Sequence, residues 1–125
     1  MALKDVRVLV VDDERRLVDI LSIYLQDEGI AVTGVFDGPA ALQAAAAQRY
    51  DLILLDLHLP ALCGLEVLRA LRRSSDVPIL IMTARGETIP DADLALAADD
   101  FIFKPFRPRE VVERIKALLE REASS

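Results

Sequence analysis

Short runs of large apolar residues alternate along this chain with longer segments in which apolar residues recur every three or four positions. Apolar runs without a polar face are typical of strands buried on both sides of a parallel sheet. The longer segments have the spacing of amphipathic helices. We therefore predict an α/β fold: a five-stranded parallel sheet flanked by five helices, which right-handed crossovers place on both faces.

The apolar runs give approximate bounds for each element. Strands are predicted at Val6–Val11, Ala31–Phe36, Leu52–Leu55, Val77–Met82 and Asp100–Phe103. Helices are predicted at Glu14–Glu28, at Pro39–Gln48, through Leu65, Leu68 and Leu71, as a short helix within 87–100, and at Arg107–Arg121. The run at 52–55 should be a central strand because it is wholly apolar, whereas the partial alternation at 31–36 suits an edge. The alanines of the second helix indicate close packing on the sheet.

Composition limits the functions that need to be considered. The 125 residues suit one domain, and the single cysteine, Cys63, excludes an internal disulfide and a multi-cysteine zinc site. A net charge of −6 without a basic run argues against nucleic-acid binding by this domain itself. No apolar run reaches the roughly 18 residues of a membrane span. Charged residues interrupt the N-terminal segment, so we expect a cytoplasmic protein without a signal peptide.

Polar residues follow four of the predicted strands. Asp12 and Asp13 come after the first, Asp56 after the third, Thr83 after the fourth and Lys104 after the fifth. Ligands of parallel sheets bind beyond the carboxyl ends of the strands, so these groups should meet at one site. Each has a plainer interpretation as a turn, a helix cap or an ordinary strand end. Their order on successive strands favours a site.

The chemistry of this set points to phosphate. Clustered carboxylates repel one another, and Mg²⁺ relieves that repulsion through oxygen ligands while leaving positions for water and phosphate. Lys104 adds a compact positive charge, and Thr83 offers a hydroxyl donor. Asp56 is the candidate nucleophile, since aspartate can form an aspartyl-phosphate. Phosphoryl transfer depends mainly on positioning and charge neutralisation, which this set supplies.

Five stretches now identify a family resemblance that covers nearly the whole chain. They are VLVVDDE, DLILLDLHLPALCGLEVLRALR, VPILIMTA, ADDFIFKPF and PREVVERIKALL. The chain resembles the CheY-like receiver domains of two-component response regulators, most closely those of the OmpR/PhoB winged-helix subfamily. The resemblance implies a flavodoxin-like (βα)5 fold with strand order 2-1-3-4-5. It implies a receiver domain at 1–121 and a tail or linker start at 122–125.

The resemblance also implies a phosphoacceptor and a metal site. Asp56 would accept a phosphoryl group from the phosphohistidine of a sensor histidine kinase. Asp13 would bind Mg²⁺ directly and Asp12 through water, and Asp56 with the backbone carbonyl of His58 would complete the protein ligands. Mn²⁺ is an expected substitute for Mg²⁺. Such a domain catalyses only its own phosphorylation and dephosphorylation, so it is a signalling module rather than an enzyme.

Three further residues would read out the phosphorylated state. Lys104 would pair with the phosphoryl group, Thr83 would move toward it, and Phe101 would rotate inward to fill the vacated space. The resemblance also implies a cis peptide between Lys104 and Pro105. The fourth helix, fifth strand and last helix would then form the switching face. That face would support a homodimer and, through an output domain outside this chain, control of transcription. No membrane partner is expected.

Four charged residues on the switching face are candidates for ion pairs across that dimer: Asp99, Asp100, Arg114 and Arg121. An interpretation as ordinary surface charge has equal weight.

The chain departs from the family pattern at several positions. Cys63 stands where Asp or Asn is usual, and a small buried turn residue is favoured over a redox sensor. Ala97 replaces a usual glycine. The segment from Thr83 to Lys104 is one residue short and contains Pro90, which indicates a reshaped fourth helix. His58 and Arg85 occupy the positions that tune aspartyl-phosphate hydrolysis in the family, either as functional groups or as plain surface residues.

Other functions have less support. A pseudo-receiver that binds partners independently of phosphorylation is the main alternative, although the complete set of five site residues argues against it. An aspartyl-phosphate phosphatase would need a second acid where this chain has His58, and a lid for which there is no insertion. Dinucleotide binding would need a glycine-rich loop after the first strand, and none is present.

Overall fold

The computed structural model describes residue 3, residues 5–84 and residues 97–124. Its strands form one parallel sheet in the order β2-β1-β3-β4-β5, as the resemblance implied. The strands are β1 (Arg7–Val11), β2 (Ala31–Val35), β3 (Leu52–Asp56), β4 (Ile79–Ala84) and β5 (Asp100–Lys104). The wholly apolar β3 is the central strand and β2 lies at an edge, as predicted.

Four helices lie within the described residues. They are α1 (Arg15–Asp27), α2 (Gly38–Ala47), α3 (Gly64–Arg72) and the C-terminal helix (Pro108–Ser124). The last of these continues beyond the predicted end at Arg121, because the sequence after Arg121 has no glycine or proline to end it. The division of the chain at residue 121 therefore stays a prediction. The short helix predicted within 87–100 falls mostly outside the described residues.

Two hydrophobic clusters occupy the two faces of the sheet. Successive strand residues point to opposite faces, so Val8 and Val10 join one cluster while Leu9 and Val11 join the other. The first cluster packs against α1 and the C-terminal helix, whose five predicted inward residues are all buried: Val111, Val112, Ile115, Leu118 and Leu119. The second cluster packs against α2 and α3. Both faces of the sheet are thus covered, as predicted for a parallel sheet.

The ends of the helices follow from local sequence. Gly29, two residues after the end of α1, has φ +88°, the left-handed conformation that glycine adopts without steric cost. Asp37 caps α2 by accepting a hydrogen bond of 2.7 Å from the amide of Ala40. Of the alanines in α2, Ala44 and Ala45 pack on the second cluster while 46 and 47 are exposed, so the predicted close packing holds for the first part of the run.

The strand bounds differ slightly from those predicted. Asp56 and Lys104 are the last residues of β3 and β5, and Thr83 is the penultimate residue of β4, so these groups lie within strands rather than after them. β4 begins at Ile79 instead of Val77, since Pro78 between them has no amide to donate. The register pairs Asp56 with Met82 and Thr83 with Phe103, which places the functional side chains at one edge of the sheet.

Candidate functional site

Three carboxylates meet at the carboxyl edge of the sheet. One ligand oxygen from each of Asp12, Asp13 and Asp56 lies within 4.8 Å of the others. Asp12 and Asp56 are buried, with 0% and 3% of their surface exposed, whereas Asp13 is exposed. The site is therefore open on one side and buried on the other, which leaves room for a ligand to approach.

Asp12 is fixed by hydrogen bonds to both of its carboxylate oxygens. One oxygen accepts a bond of 2.9 Å from the amide of Glu14, which precedes α1, and the other accepts one of 2.7 Å from Lys104 Nζ. The amide of Asp12 itself donates to the carbonyl oxygen of Val35 at 3.2 Å, which ties this edge of β1 to the end of β2. Asp12 is thus held by β2, α1 and β5 together.

The carboxylate of Asp56 has weaker hydrogen bonding than that of Asp12. Burial is the main cause that raises its pKa, the charge of Asp12 raises it further, and the result is a pKa of about 6. Lys104 Nζ, 3.6 Å from Asp56 Oδ1, and the amide of His58, at 3.3 Å, offset part of this. Asp56 is therefore mostly ionised near neutral pH, yet it has unused capacity to interact with a cation or an electrophile.

Lys104 lies between two acids. Burial lowers the pKa of its ammonium, but the hydrogen bond to Asp12 and the charges of Asp56 and Asp12 outweigh burial, so the pKa is raised overall. The ammonium therefore stays charged. The side chain is partly buried, so its charge acts on the neighbouring acids at short range. The predicted cis peptide between Lys104 and Pro105 is present.

The donor set fits a hard divalent cation. Mg²⁺ prefers carboxylate oxygens and binds through one or two of them while it keeps water and phosphate ligands. Asp12, Asp13 and Asp56 offer such oxygens on one side of the open edge. The single positive charge of Lys104 leaves this group of acids with excess negative charge, which a divalent cation would neutralise. The part played by the His58 carbonyl stays a prediction.

The predicted switch residues also lie on β4 and β5. Thr83 is buried, with 1% of its surface exposed, and Phe101 is half-buried against the second cluster. Thr83 lies at the carboxyl edge that holds the acids, whereas Phe101 pairs with Ile81, two residues earlier in the ladder between β4 and β5. The movements expected of Thr83 and Phe101 stay predictions.

Gly64 is a positioning residue that sequence reasoning missed. A Cβ atom at this position would collide with the backbone oxygen of Asp56 and would lie 2.5 Å from the Cα atom of Leu57. The first residue of α3 therefore packs directly against the backbone of β3, the strand that ends at Asp56, and of the residue that follows it. The signal in the sequence is a glycine at the start of a predicted helix, directly after the loop that follows Asp56. Such a glycine indicates a close approach of two backbone segments.

The departures from the family pattern have mixed outcomes. The buried position expected for Cys63 was wrong: the residue is exposed, at the N-cap of α3. The carbonyl of Ala97 accepts a 2.7 Å hydrogen bond from Arg72 Nε. His58 is exposed, as a residue at the rim of the site should be. Arg85 and Pro90 lie outside the described residues.

Both acids proposed for contacts between subunits have ion-pair partners within the chain. Asp99 pairs with Arg72 at 2.9 Å, and Asp100 pairs with Arg114 at 3.2 Å. Asp99 also accepts a 2.8 Å hydrogen bond from the amide of Ile79. In this conformation Asp99 therefore acts in an internal contact rather than as free surface charge.

Comparison with known protein families decides the assignment. A family profile described as "Response regulator receiver domain" matches residues 8–116, which include all of the site residues described above. The chain belongs to this family. The resemblance found in the sequence is thereby confirmed. Within the described residues, no helix has the length and apolar character needed to cross a membrane.

Curated relatives are regulators about twice as long as this chain. The chain is 47% identical over 117 residues to the DNA-binding response regulator MtrA of Mycobacterium tuberculosis, covering 92% of this chain and 51% of MtrA. It is 42% identical over 122 residues to the transcriptional regulatory protein ResD of Bacillus subtilis, covering 97% and 51%. The receiver domain thus corresponds to about half of each relative.

Solved receiver structures share the whole fold. The response regulator TrrA of Thermotoga maritima, crystallised in complex with Mg(2+)-BeF, has a TM-score of 0.82 at 35% identity, covering 90% of this chain and 98% of that one. The receiver domain of the Francisella response regulator 1452 has a TM-score of 0.85 at 30% identity, covering 94% and 99%. The chain is therefore a receiver domain of a two-component response regulator in both sequence and fold.

Proposed function

We propose that this receiver domain takes a phosphoryl group from the phosphohistidine of a sensor histidine kinase onto Asp56, in a reaction that requires Mg²⁺. The observation that carries the proposal is the arrangement around Asp56. Its carboxylate lies beside two further acids and 3.6 Å from the Lys104 ammonium, at an open edge of the sheet. Membership of the receiver family and the likeness to TrrA, crystallised with Mg(2+)-BeF, support it.

Asp56 is suited to the role of nucleophile. Its carboxylate is buried, so water competes little for its lone pairs, and at neutral pH it is mostly ionised. A bond forms between a carboxylate oxygen and phosphorus, while the bond between phosphorus and the imidazole nitrogen breaks and its electron pair stays on that nitrogen. The product is an aspartyl-phosphate.

The remaining site residues neutralise charge. Asp12, Asp13 and Asp56 would hold Mg²⁺, which when bound supplies positive charge opposite the phosphoryl oxygens. Lys104 contacts Asp12 at 2.7 Å and is within reach of Asp56, so it is placed to pair with a phosphoryl oxygen. Such pre-organised charges are the main contribution a protein makes to phosphoryl transfer.

The proposed output of phosphorylation is a change in the switching face, to which β5 contributes. Thr83 would donate its hydroxyl to the phosphoryl group, and Phe101 would move into the space this leaves. Because Phe101 is only half-buried, it has a surface position from which to change. The altered face would favour a homodimer and act on an output domain outside this chain. MtrA and ResD, named as DNA-binding and transcriptional regulators, support a role in transcription.

Intact mass spectrometry tests the proposal. The protein is incubated with Mg²⁺ and acetyl phosphate, alongside Asp56→Asn and the control Asp51→Asn, whose acid lies at the opposite end of β3. We expect one phosphoryl group on the wild type and on Asp51→Asn, and none on Asp56→Asn. If Mg²⁺ binds but no variant is labelled, the domain is a pseudo-receiver that acts as a protein-binding module.

A further inference from the structure

Arg15, the first residue of α1, has a contact that the proposed function does not use. Its guanidinium carbon lies 4.0 Å from the centroid of the Phe36 ring, a cation–π geometry. Phe36 directly follows β2 and packs on the first hydrophobic cluster, so the ring is anchored. The arginine is therefore held in place, although its side chain is exposed.

This stacked pair lies next to the acidic site. The amide of Asp12 donates to the carbonyl of Val35, the residue before Phe36. Along the chain, Arg15 follows Asp13 by two residues, and Glu14 between them binds Asp12 through its amide. Each member of the pair is thus the neighbour in sequence of a residue that shares a hydrogen bond with Asp12: Arg15 follows Glu14, and Phe36 follows Val35.

Arg15 has not collapsed onto the acids nearby. No carboxylate of a described residue forms an ion pair with it, although Asp12, Asp13 and Glu14 are its close neighbours in sequence. Stacking on Phe36 uses the face of the guanidinium and leaves the N–H groups along its edge available. A guanidinium edge is well suited to bind phosphate oxygens.

We infer that Arg15, held by Phe36, is a positioning residue that draws the anionic phosphodonor to Asp56. This inference rests on the proposed function. The acids that hold Mg²⁺ also repel a phosphate-bearing donor, and Lys104 is engaged with Asp12. A cation at the rim that is not paired with those acids favours the approach of the donor without competing for the metal ligands.

The inference predicts that Arg15→Gln weakens the reaction with the anionic donor but not the binding of the Mg²⁺ cation. In Arg15→Gln, the rate constant for labelling by acetyl phosphate at limiting donor should fall about three- to tenfold, because steering of the anion is lost. The affinity for Mg²⁺ should stay the same or rise up to about twofold, because a repelling cation has been removed. A purely structural role would instead weaken both.

Two further variants separate position from charge. Arg16→Gln removes the same charge from the next residue, which is exposed and makes no stacking contact among the described residues, so its labelling rate should stay within about twofold of wild type. Phe36→Leu keeps the apolar packing but removes the ring, and it should slow labelling in the same direction as Arg15→Gln by a smaller factor.

The experiment measures labelling rates by intact mass and Mg²⁺ affinity by titration for the wild type and all three variants. Slower labelling in Arg15→Gln than in Arg16→Gln, with Mg²⁺ affinity retained, supports the inference. Equal rates in these two variants, or a parallel loss of Mg²⁺ affinity in Arg15→Gln, would overturn it. Failure of the wild type to be labelled at all would instead remove the proposed function on which it rests.

Discussion

At the scale of single residues, the carboxylate of Asp56 carries an electrostatic cost in the absence of a divalent cation. Asp56 is buried beside Asp12, and its pKa rises from 3.8 to about 6. A carboxyl group whose pKa is raised on folding is protonated more readily in the folded state. Its contribution therefore favours folding below about pH 4 and is lost as the pH rises through about 6. The loss corresponds to roughly 3 kcal/mol, at about 1.4 kcal/mol per pKa unit.

Asp56→Asn should therefore raise the free energy of unfolding of the Mg²⁺-free protein at pH 7.5 by up to about 3 kcal/mol. At pH 3.5 the gain should vanish, because the wild-type carboxyl group is then protonated in both states. Urea denaturation in the presence of a chelator measures both values, with Asp19→Asn on the exposed side of α1 as control. An equal gain at the two pH values would show that the buried negative charge of Asp56 is not the cause.

Lys104 supplies positive charge to the site. Its ammonium contacts Asp12 and neighbours Asp56, so Lys104→Met removes a positive charge that lies beside both acids. We expect phosphoryl labelling to slow by about tenfold or more, because a charge that stabilises the transferring group is lost. Mg²⁺ affinity should be retained or increased, since the acids lose a competing cation. Isothermal titration and intact mass test the two parts; loss of Mg²⁺ binding would contradict this role.

At the scale of elements, the start of α3 limits where the backbone of Asp56 can lie. The close approach of Gly64 to Asp56 means that a side chain here must displace β3 or the helix. Gly64→Ala should lower the free energy of unfolding by about 2 kcal/mol or more and weaken Mg²⁺ binding. Gly34→Ala is the matched control: its Cβ would lie 2.5 Å from Val18 Cγ1, away from the acids.

Gly34→Ala should also lower the free energy of unfolding. It should leave the affinity for Mg²⁺ unchanged, because β2 and α1, rather than β3, would have to adjust. Chemical denaturation and Mg²⁺ titration of both variants check the pair. Similar loss of Mg²⁺ affinity in the two variants would mean that Gly64 has no specific part in positioning Asp56.

The elements themselves were largely predictable, and their ends were not. Apolar runs gave all five strands, because the central strands are buried on both faces and the edge strands are still partly buried. The strand ends differed by one or two residues, since hydrogen bonding decides whether Thr83 or Lys104 still belongs to the ladder. The exposure of Cys63 could not be predicted from the sequence, because it depends on the tertiary packing around the N-cap of α3.

At the scale of the whole molecule, Arg72 joins three parts of the fold. From the end of α3 it donates to the carbonyl oxygens of Val77 and Ala97 at 2.6 and 2.7 Å and to the carboxylate of Asp99 at 2.9 Å. It thereby holds the start of β4 and the start of β5 against α3. These partners lie up to 27 positions away in sequence, so no local pattern could reveal them.

Arg72→Met should lower the free energy of unfolding by about 2–3 kcal/mol, because several half-buried acceptors lose a charged donor. Arg114→Met removes the more exposed pair with Asp100 and should cost less than about 1 kcal/mol. Denaturation of the two variants at one pH gives the comparison. Equal losses would mean that the Arg72 contacts add nothing beyond an ordinary surface ion pair.

The site as a set was predictable for a topological reason. Parallel strands bring their carboxyl ends to one edge, so Asp12, Asp56, Thr83 and Lys104 had to lie near one another. The choice of partners within the set was not predictable. Lys104 lies closer to Asp12 than to Asp56, because side-chain conformation depends on packing from β1 and β5 together.

The central claim is that the phosphoryl group is carried by Asp56, and chemical mapping tests it most directly. After labelling with acetyl phosphate and Mg²⁺, borohydride reduces an aspartyl-phosphate to homoserine, which peptide mass spectrometry locates in the sequence. We predict homoserine at position 56 and only in samples that contained Mg²⁺. Homoserine at position 12 or 13, a modification of His58, or no homoserine in the presence of bound Mg²⁺ would contradict the claim.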